Sequence, residues 1–126
     1  MPLDTPILFA ATTNAARSRK FYENMLGLRF VADEMFALVF KVGELDLRIQ
    51  KVEQRSEIGY TVLGWAVRDI RQSVRQLVKA GVVFARFEGL EQDDDAVWTA
   101  PGGAKIAWFR DPDGNTLSIT EYALPA

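Results

Sequence analysis

Two residue types are missing from this chain altogether: none of its 126 residues is cysteine or histidine. Without thiols there is no disulfide, no iron–sulfur cluster and no cysteine nucleophile. Without imidazole there is no zinc finger and no Ser-His-Asp or Cys-His arrangement. A charge excess is missing too. Fifteen Lys and Arg face seventeen Asp and Glu, for a net charge of -2. That balance gives no support to a nucleic-acid or anionic-membrane surface. Apolar runs are short, far below the ~20 residues that span a bilayer. The opening Met1-Pro2-Leu3-Asp4-Thr5-Pro6 has no basic region followed by an apolar stretch, so no signal peptide is expected. A soluble cytoplasmic protein is the expectation.

What is present suits a globular chain: 48% of residues are hydrophobic and 25% charged. The length fits one domain over residues 1–126, built from two half-sized units. Ile7 to Thr12 reads as a strand. Asn14 can cap the helix that follows, with Phe21, Met25 and Leu28 on its apolar side and Gly27 as its end. Residues 29–32 and 36–42 read as strands around an Asp33-Glu34 turn, and Leu45 to Gln50 alternates cleanly.

Residues 52–59 are polar and read as the connection between a first unit, 5–51, and a second, 60–123. The pattern then returns. Tyr60 to Val67 is a strand. Asp69 caps a helix whose apolar side is Ile70, Val74, Leu77 and Val78, and Gly81 ends it. Val82 to Phe84 is a short strand, 88–95 an acidic loop, and strands follow near Ala96 to Trp98, at 105–110 and at 116–122.

Strand, cap and terminating glycine at Ile7, Asn14 and Gly27 recur at Val62, Asp69 and Gly81, offset by 54 or 55 residues. Each half therefore reads βαβββ, an α+β arrangement duplicated in pattern rather than in side-chain identity. One helix cannot cover both faces of a sheet. The remaining faces must pack together, pair with a second chain, or enclose a cavity.

Asp111-Pro112-Asp113-Gly114-Asn115 lies between two apolar strands and by itself is a hairpin turn. Together with Phe21-Tyr22-Glu23-Asn24-Met25-Leu26-Gly27-Leu28, Ala107-Trp108-Phe109-Arg110 and the paired βαβββ spacing, it resembles the vicinal oxygen chelate superfamily. That superfamily includes glyoxalase I, extradiol dioxygenases, and bleomycin and fosfomycin resistance proteins. The resemblance covers essentially the whole chain. It implies two modules curled into an open barrel, with the active site in its cavity, and short chains acting as homodimers.

Metal-dependent members carry four ligands, commonly two histidines and two carboxylates. Carried over by position, these fall on Ile7, Asp46, Val62 and Ser118. Only Asp46 suits a metal, so the resemblance here implies no metal site and no cofactor. Without a held ion, Lewis-acid chemistry of the glyoxalase or dioxygenase kind loses its means.

Alternation along Leu45 to Gln50 places Asp46, Arg48 and Gln50 on the cavity side. Asp46 and Arg48 are expected to pair, or Arg48 to grip a carboxylate, phosphate or enolate. Ile7, Phe9 and Ala11 should line one wall, Val62, Gly64 and Ala66 the matching wall, and Thr116, Ser118 and Thr120 the last strand. Gly64 either admits a ligand to the backbone or relieves a tight contact. Trp98, Trp108 and Phe109 either stack on a flat ligand or belong to core or dimer contacts. Trp65 should face the second helix. Tyr22 is either packing or a ligand-side hydroxyl. The 88–95 loop is either a solvated connection or an acidic rim for a cationic ligand.

The expected ligand-binding set is therefore Phe9, Asp46, Arg48, Gln50, Gly64, Trp98, Trp108, Ser118 and Thr120. The expected function is metal-independent small-molecule binding, drug or metabolite sequestration of the bleomycin-resistance type. The alternatives are a glyoxalase-like lyase, isomerase or dioxygenase with a divergent site, and an assembly module with a filled core. No nucleic-acid or membrane partner is expected.

Overall fold

The computed structural model describes residues 5–54 and 60–123. Residues 55–59 of the expected connection lie outside the described residues.

Two four-stranded sheets share one plan. In the first, β1 (Ile7–Thr12), β2 (Arg29–Asp33), β3 (Ala37–Val42) and β4 (Leu45–Lys51) take the order β1-β4-β3-β2. In the second, β5 (Thr61–Ala66), β6 (Trp98–Thr99), β7 (Lys105–Arg110) and β8 (Thr116–Glu121) take the order β5-β8-β7-β6. The first and last strands of each module run parallel and the others antiparallel. The result is an α+β fold of two βαβββ modules whose sheets do not close into a barrel. β1 and β5 touch at the seam.

Both helices start where the sequence supplies a cap. The Asn14 side chain accepts from the Arg17 N–H at 3.1 Å, and the Asp69 side chain from the Gln72 N–H at 3.2 Å. At the second helix, α2 (Ile70–Lys79), Glu121 also accepts the Ile70 N–H at 3.0 Å. This ties the helix start to the end of β8.

Three expectations change. The first helix is not one uniform α-helix. Its segment α1 (Ala15–Arg19) passes into a π-helical turn, Lys20–Met25. Phe21 and Tyr22 are neighbours in sequence and both must enter the core. More residues per turn means a smaller angle between neighbours, so both rings can point inward. The chain then leaves through Gly27 at φ +72°, with the Leu28 N–H on the Tyr22 carbonyl at 3.0 Å. The strand expected at 82–84 is only a single bridge, Phe84 to Phe109, because the chain departs into the 85–97 loop. Val78, expected on the apolar side of α2, is exposed; Ile70 and Val74 carry that side.

One core spans both modules. Leu38, Phe40, Leu47 and Ile49 from the first sheet and Leu63, Ala107, Phe109, Leu117 and Ile119 from the second enter it with Phe21, Tyr22, Ile70 and Val74. Phe109 touches rings of both modules, with Phe21 at 6.4 Å and Phe84 at 5.3 Å. Trp65 lies on the α2 side of its sheet, beside Ser73, Gln76 and Leu77.

The turn between β7 and β8 does more than reverse the chain. Asp111, buried, accepts the Tyr22 hydroxyl at 2.6 Å and the Asn115 side-chain amide at 2.7 Å. It also accepts the N–H groups of Asp113 at 3.0 Å and Asn115 at 2.9 Å. Asp113 accepts the Thr12 hydroxyl at 2.6 Å and both the N–H and hydroxyl of Thr13 at 2.8 Å. The Asn115 amide reaches the Ala11 carbonyl at 2.8 Å. A turn of the second module thus grips the end of β1 and the first helix. Tyr22 is settled as packing: its ring is in the core and its phenol is pushed above its ordinary pKa, first by burial and then by Asp111.

Candidate functional site

The site is built from the two sheet faces turned away from the helices. Leu47 and Ile49 point to the core, so Asp46, Arg48 and Gln50 point the other way. In register on β1 stand Ile7 beside Asp46, Phe9 beside Arg48 and Ala11 beside Gln50. On β3 stand Lys41 beside Asp46 and Val39 beside Arg48. Ile7 and Phe9 are 50% and 48% exposed, large apolar side chains open on a charged surface.

The expected Asp46–Arg48 pair is not formed. Asp46 pairs with Lys41 at 2.7 Å, and Arg48 with Glu34 at 3.0 Å. The cause is strand geometry. Residues two apart on one strand stand about 7 Å apart, whereas direct cross-strand neighbours stand about 5 Å apart. Lys41 is the direct neighbour. A third ion pair, Lys51 with Asp33 at 2.5 Å, lies on the other side of the sheet, because Lys51 alternates with Leu47 and Ile49.

The second face is built differently. Gly64 stands opposite Ser118 and Ala66 opposite Thr120. Ser118 in turn faces Trp108, and Thr120 faces Ile106. Trp98 sits beside Ile106 on the far edge. Its ring lies 6.0 Å from that of Trp108, and Phe87 meets Trp108 edge-on at 5.5 Å. Phe109 has no place on this face: it is fully buried in the core, while Trp108 is half-buried on the opposite side. A Cβ at Gly64 would lie 2.7 Å from the Ser118 hydroxyl oxygen and 3.1 Å from its carbonyl oxygen. Glycine is therefore required there by the neighbouring strand.

The nine expected site residues fall into two patches. Phe9, Asp46, Arg48 and Gln50 share the first sheet, and Gly64, Ser118, Thr120, Trp98 and Trp108 the second. Sequence reading missed Lys41, Glu34 and Phe87. Lys41 was within reach, since it lies on the same alternation as Val39 opposite Asp46. Phe87 comes from a loop and carries no periodic signal.

The acidic loop is tethered rather than free. Asp93 and Asp95 both engage Arg71 of α2, and Asp95 also approaches Arg75 at 3.4 Å. The Gln92 amide bridges the carbonyls of Ala85 at 3.0 Å and Ala96 at 2.9 Å. Burial alone would raise the Asp93 pKa. The Arg71 guanidinium and the N–H groups of Val97 and Asp95 outweigh it and hold the group below the ordinary carboxylate value.

The residues at the family's ligand positions do not fit a metal. Ile7 and Val62 offer no donor atom, Ser118 offers a hydroxyl, and Asp46 is engaged with Lys41. Among the described residues no group of three or more Asp, Glu, His or Cys side chains is placed to hold an ion.

Paired βαβββ modules with an open face apiece define a family of folds rather than one chemistry. The model of the Glyoxalase/Bleomycin resistance protein/Dioxygenase superfamily matches residues 7–119, and the chain belongs to that superfamily. No curated protein matches the chain. Among solved structures, a superfamily member from Sphaerobacter thermophilus is 23% identical, with TM-score 0.72 over 94% of this chain and 98% of that one. A glyoxalase family protein from Bacillus anthracis is 16% identical, with TM-score 0.73 over 96% of each. A glyoxalase/bleomycin resistance protein/dioxygenase from Alicyclobacillus acidocaldarius is 16% identical, with TM-score 0.71 over 97% of this chain and 93% of that one. At these identities the likeness establishes the fold alone. No helix among the described residues is long and apolar enough to cross a membrane.

Proposed function

We propose that the chain is a metal-independent binder of small organic molecules, acting on the sheet faces turned away from its helices. The observation that carries this reading is the replacement of the family's ligand positions by Ile7, Val62 and Ser118, with Asp46 neutralised by Lys41. Beside them the two faces keep what a binding site needs: apolar and aromatic surface with a few oriented polar groups. Phe9, Trp98 and Trp108 supply the first, and Arg48, Ser118 and Thr120 the second. The ligand class that suits them is an aromatic anion, its ring against Trp108 and its charge met by Arg48. Sequestration needs no further chemistry from these residues.

The working form is a homodimer. Met35 and Phe36, at the tip of the β2–β3 hairpin, are 81% and 73% exposed, and Ile7 and Phe9 lie open on the adjoining sheet. A second copy covering this surface would also close the open faces over a ligand. The cytoplasm is its proposed compartment, since a chain without cysteine gains nothing from an oxidising one.

Native mass spectrometry of protein purified without chelator tests the reading. A dimer free of stoichiometric metal, carrying or taking up an aromatic anion, is the expected result. One metal ion per chain, with turnover of a small carbonyl or catechol substrate, would replace sequestration with catalysis.

A further inference from the structure

The helix side of the molecule holds a cleft of about 410 Å³ at the seam between the modules, behind the sheet faces rather than on them. Met25 and Leu28 enter it from the end of the π-helical turn, Trp65 from β5 and Leu77 from α2. Ser73 and Gln76, one turn apart on α2, supply its polar groups. Among the described residues no charged side chain lines it.

Three features make this more than a packing gap. Its volume lies in the range of small-ligand sites. Its lining is complementary to an uncharged guest, because a charge brought there would lose water and gain no counter-ion. Its polar groups are confined to one wall, a hydroxyl and an amide that can each donate and accept. The mouth is also adaptable. The Met25 methyl lies only 3.3 Å from the position a Cβ would occupy at Gly81, so glycine leaves that flexible thioether its room.

We propose that this cleft is a second ligand site, separate from the sheet faces, for a neutral, flat, mainly apolar molecule of about two fused rings. One hydrogen-bonding group of that molecule meets Ser73 and Gln76, and its ring lies against Trp65. The preference is opposite to that of the sheet faces: Arg48 favours an anion there, and the cleft rejects one.

Titration with 2-naphthol, neutral at physiological pH, and with its anionic counterpart 2-naphthoate separates the two sites. Wild-type protein should bind one naphthol per chain saturably, with naphthoate at least tenfold weaker at the cleft. Ser73→Phe and Gln76→Phe each fill the cleft and should weaken naphthol at least tenfold while melting normally. If either variant fails to fold, methyl and indole chemical shifts of wild-type protein decide, with Met25, Leu77 and Trp65 expected to move. Absence of saturable naphthol binding overturns the inference. So does naphthol binding that survives both filled variants but is lost in Trp108→Ala, a result that moves the probe to the sheet face and leaves the proposed function standing.

Discussion

The two modules share one topology and differ in almost everything else. On the first, the open face carries two ion pairs, Lys41–Asp46 and Arg48–Glu34. On the second it is a set of aromatic edges and small residues, Trp98, Trp108, Phe87, Gly64 and Ser118. The inner faces, by contrast, are alike in kind: apolar residues, aliphatic or aromatic, face the core from both sheets. Apolar alternation, a capping side chain and a terminating glycine set the fold twice over, and these leave the outer face chemically unassigned. Half-exposed ion pairs contribute about 0–1 kcal/mol each. Aromatic pairs contribute about 0.5–1.5 kcal/mol. Terms of that size leave the ion pairs and the aromatic edges free to serve a ligand, whereas Gly64 is fixed by its close approach to Ser118.

The sharpest way to break the comparison is to separate the modules. Asp111→Ala leaves the Tyr22 hydroxyl and the Asn115 amide without their acceptor in a buried turn. Chemical denaturation should show a loss of about 3–5 kcal/mol. Tyr22→Phe, which removes only one of those bonds, should lose about 1–2 kcal/mol. Equal small losses for both would mean that the turn does not join the halves.

Gly64→Ala tests the second face by itself. The new methyl meets Ser118 from the neighbouring strand. A loss of about 1–3 kcal/mol is expected, partly recovered when Ser118→Gly is added. No recovery in the double variant would place the strain elsewhere.

Acid should loosen the grip at β1. Burial would raise the Asp113 pKa, but hydrogen bonds from Thr12 and Thr13, with Arg17 nearby, outweigh it and hold the group below its ordinary value. A carboxylate depressed in the folded state stabilises above its unfolded pKa of about 3.9, and the contribution fades as pH falls through the folded value. Melting temperature should therefore fall between pH 5 and pH 2 by more in wild-type protein than in Asp113→Asn. Parallel curves would remove Asp113 from the account. A smaller change of opposite sign is expected at Ser18, whose buried hydroxyl has no hydrogen-bond partner. Ser18→Ala should raise stability by about 1 kcal/mol in the same denaturation assay.

Much of the fold was legible in the sequence because its signals are local. Asn14 and Asp69 cap the helices they precede, Gly27 ends the first, and the 45–50 alternation separates core from face. What escaped depends on contacts between distant residues. The π-helical turn follows from two adjacent rings both needing the core, a demand that one helix in isolation does not make. The partner of Asp46 depends on β3–β4 register, which moved the pairing from Arg48 to Lys41. The residues of the 111–115 turn identify a hairpin, but its hold on Thr12, Thr13 and Tyr22 bridges about a hundred residues. Three buried hydrogen-bonding side chains in one short turn were the available clue, since such groups must find partners.

The finest test lies in Arg48, where the two faces are claimed to divide the work. Its partner Glu34 is half exposed and the pair crosses from a strand to a hairpin turn, so solvent screening leaves it little energy. Arg48→Ala should change stability by less than about 0.5 kcal/mol. The same change should weaken 2-naphthoate at the sheet face by tenfold or more in a calorimetric titration, because one charge-assisted hydrogen bond contributes about 1.5–3 kcal/mol. Trp108→Ala should weaken it as well, through lost ring contact, while leaving the salt dependence of binding in place. Arg48→Ala should flatten that salt dependence. If the tryptophan variant flattens it instead, or if Arg48→Ala costs stability but not affinity, the ion pairs of the first face are structural, and the ligand belongs to the second module alone.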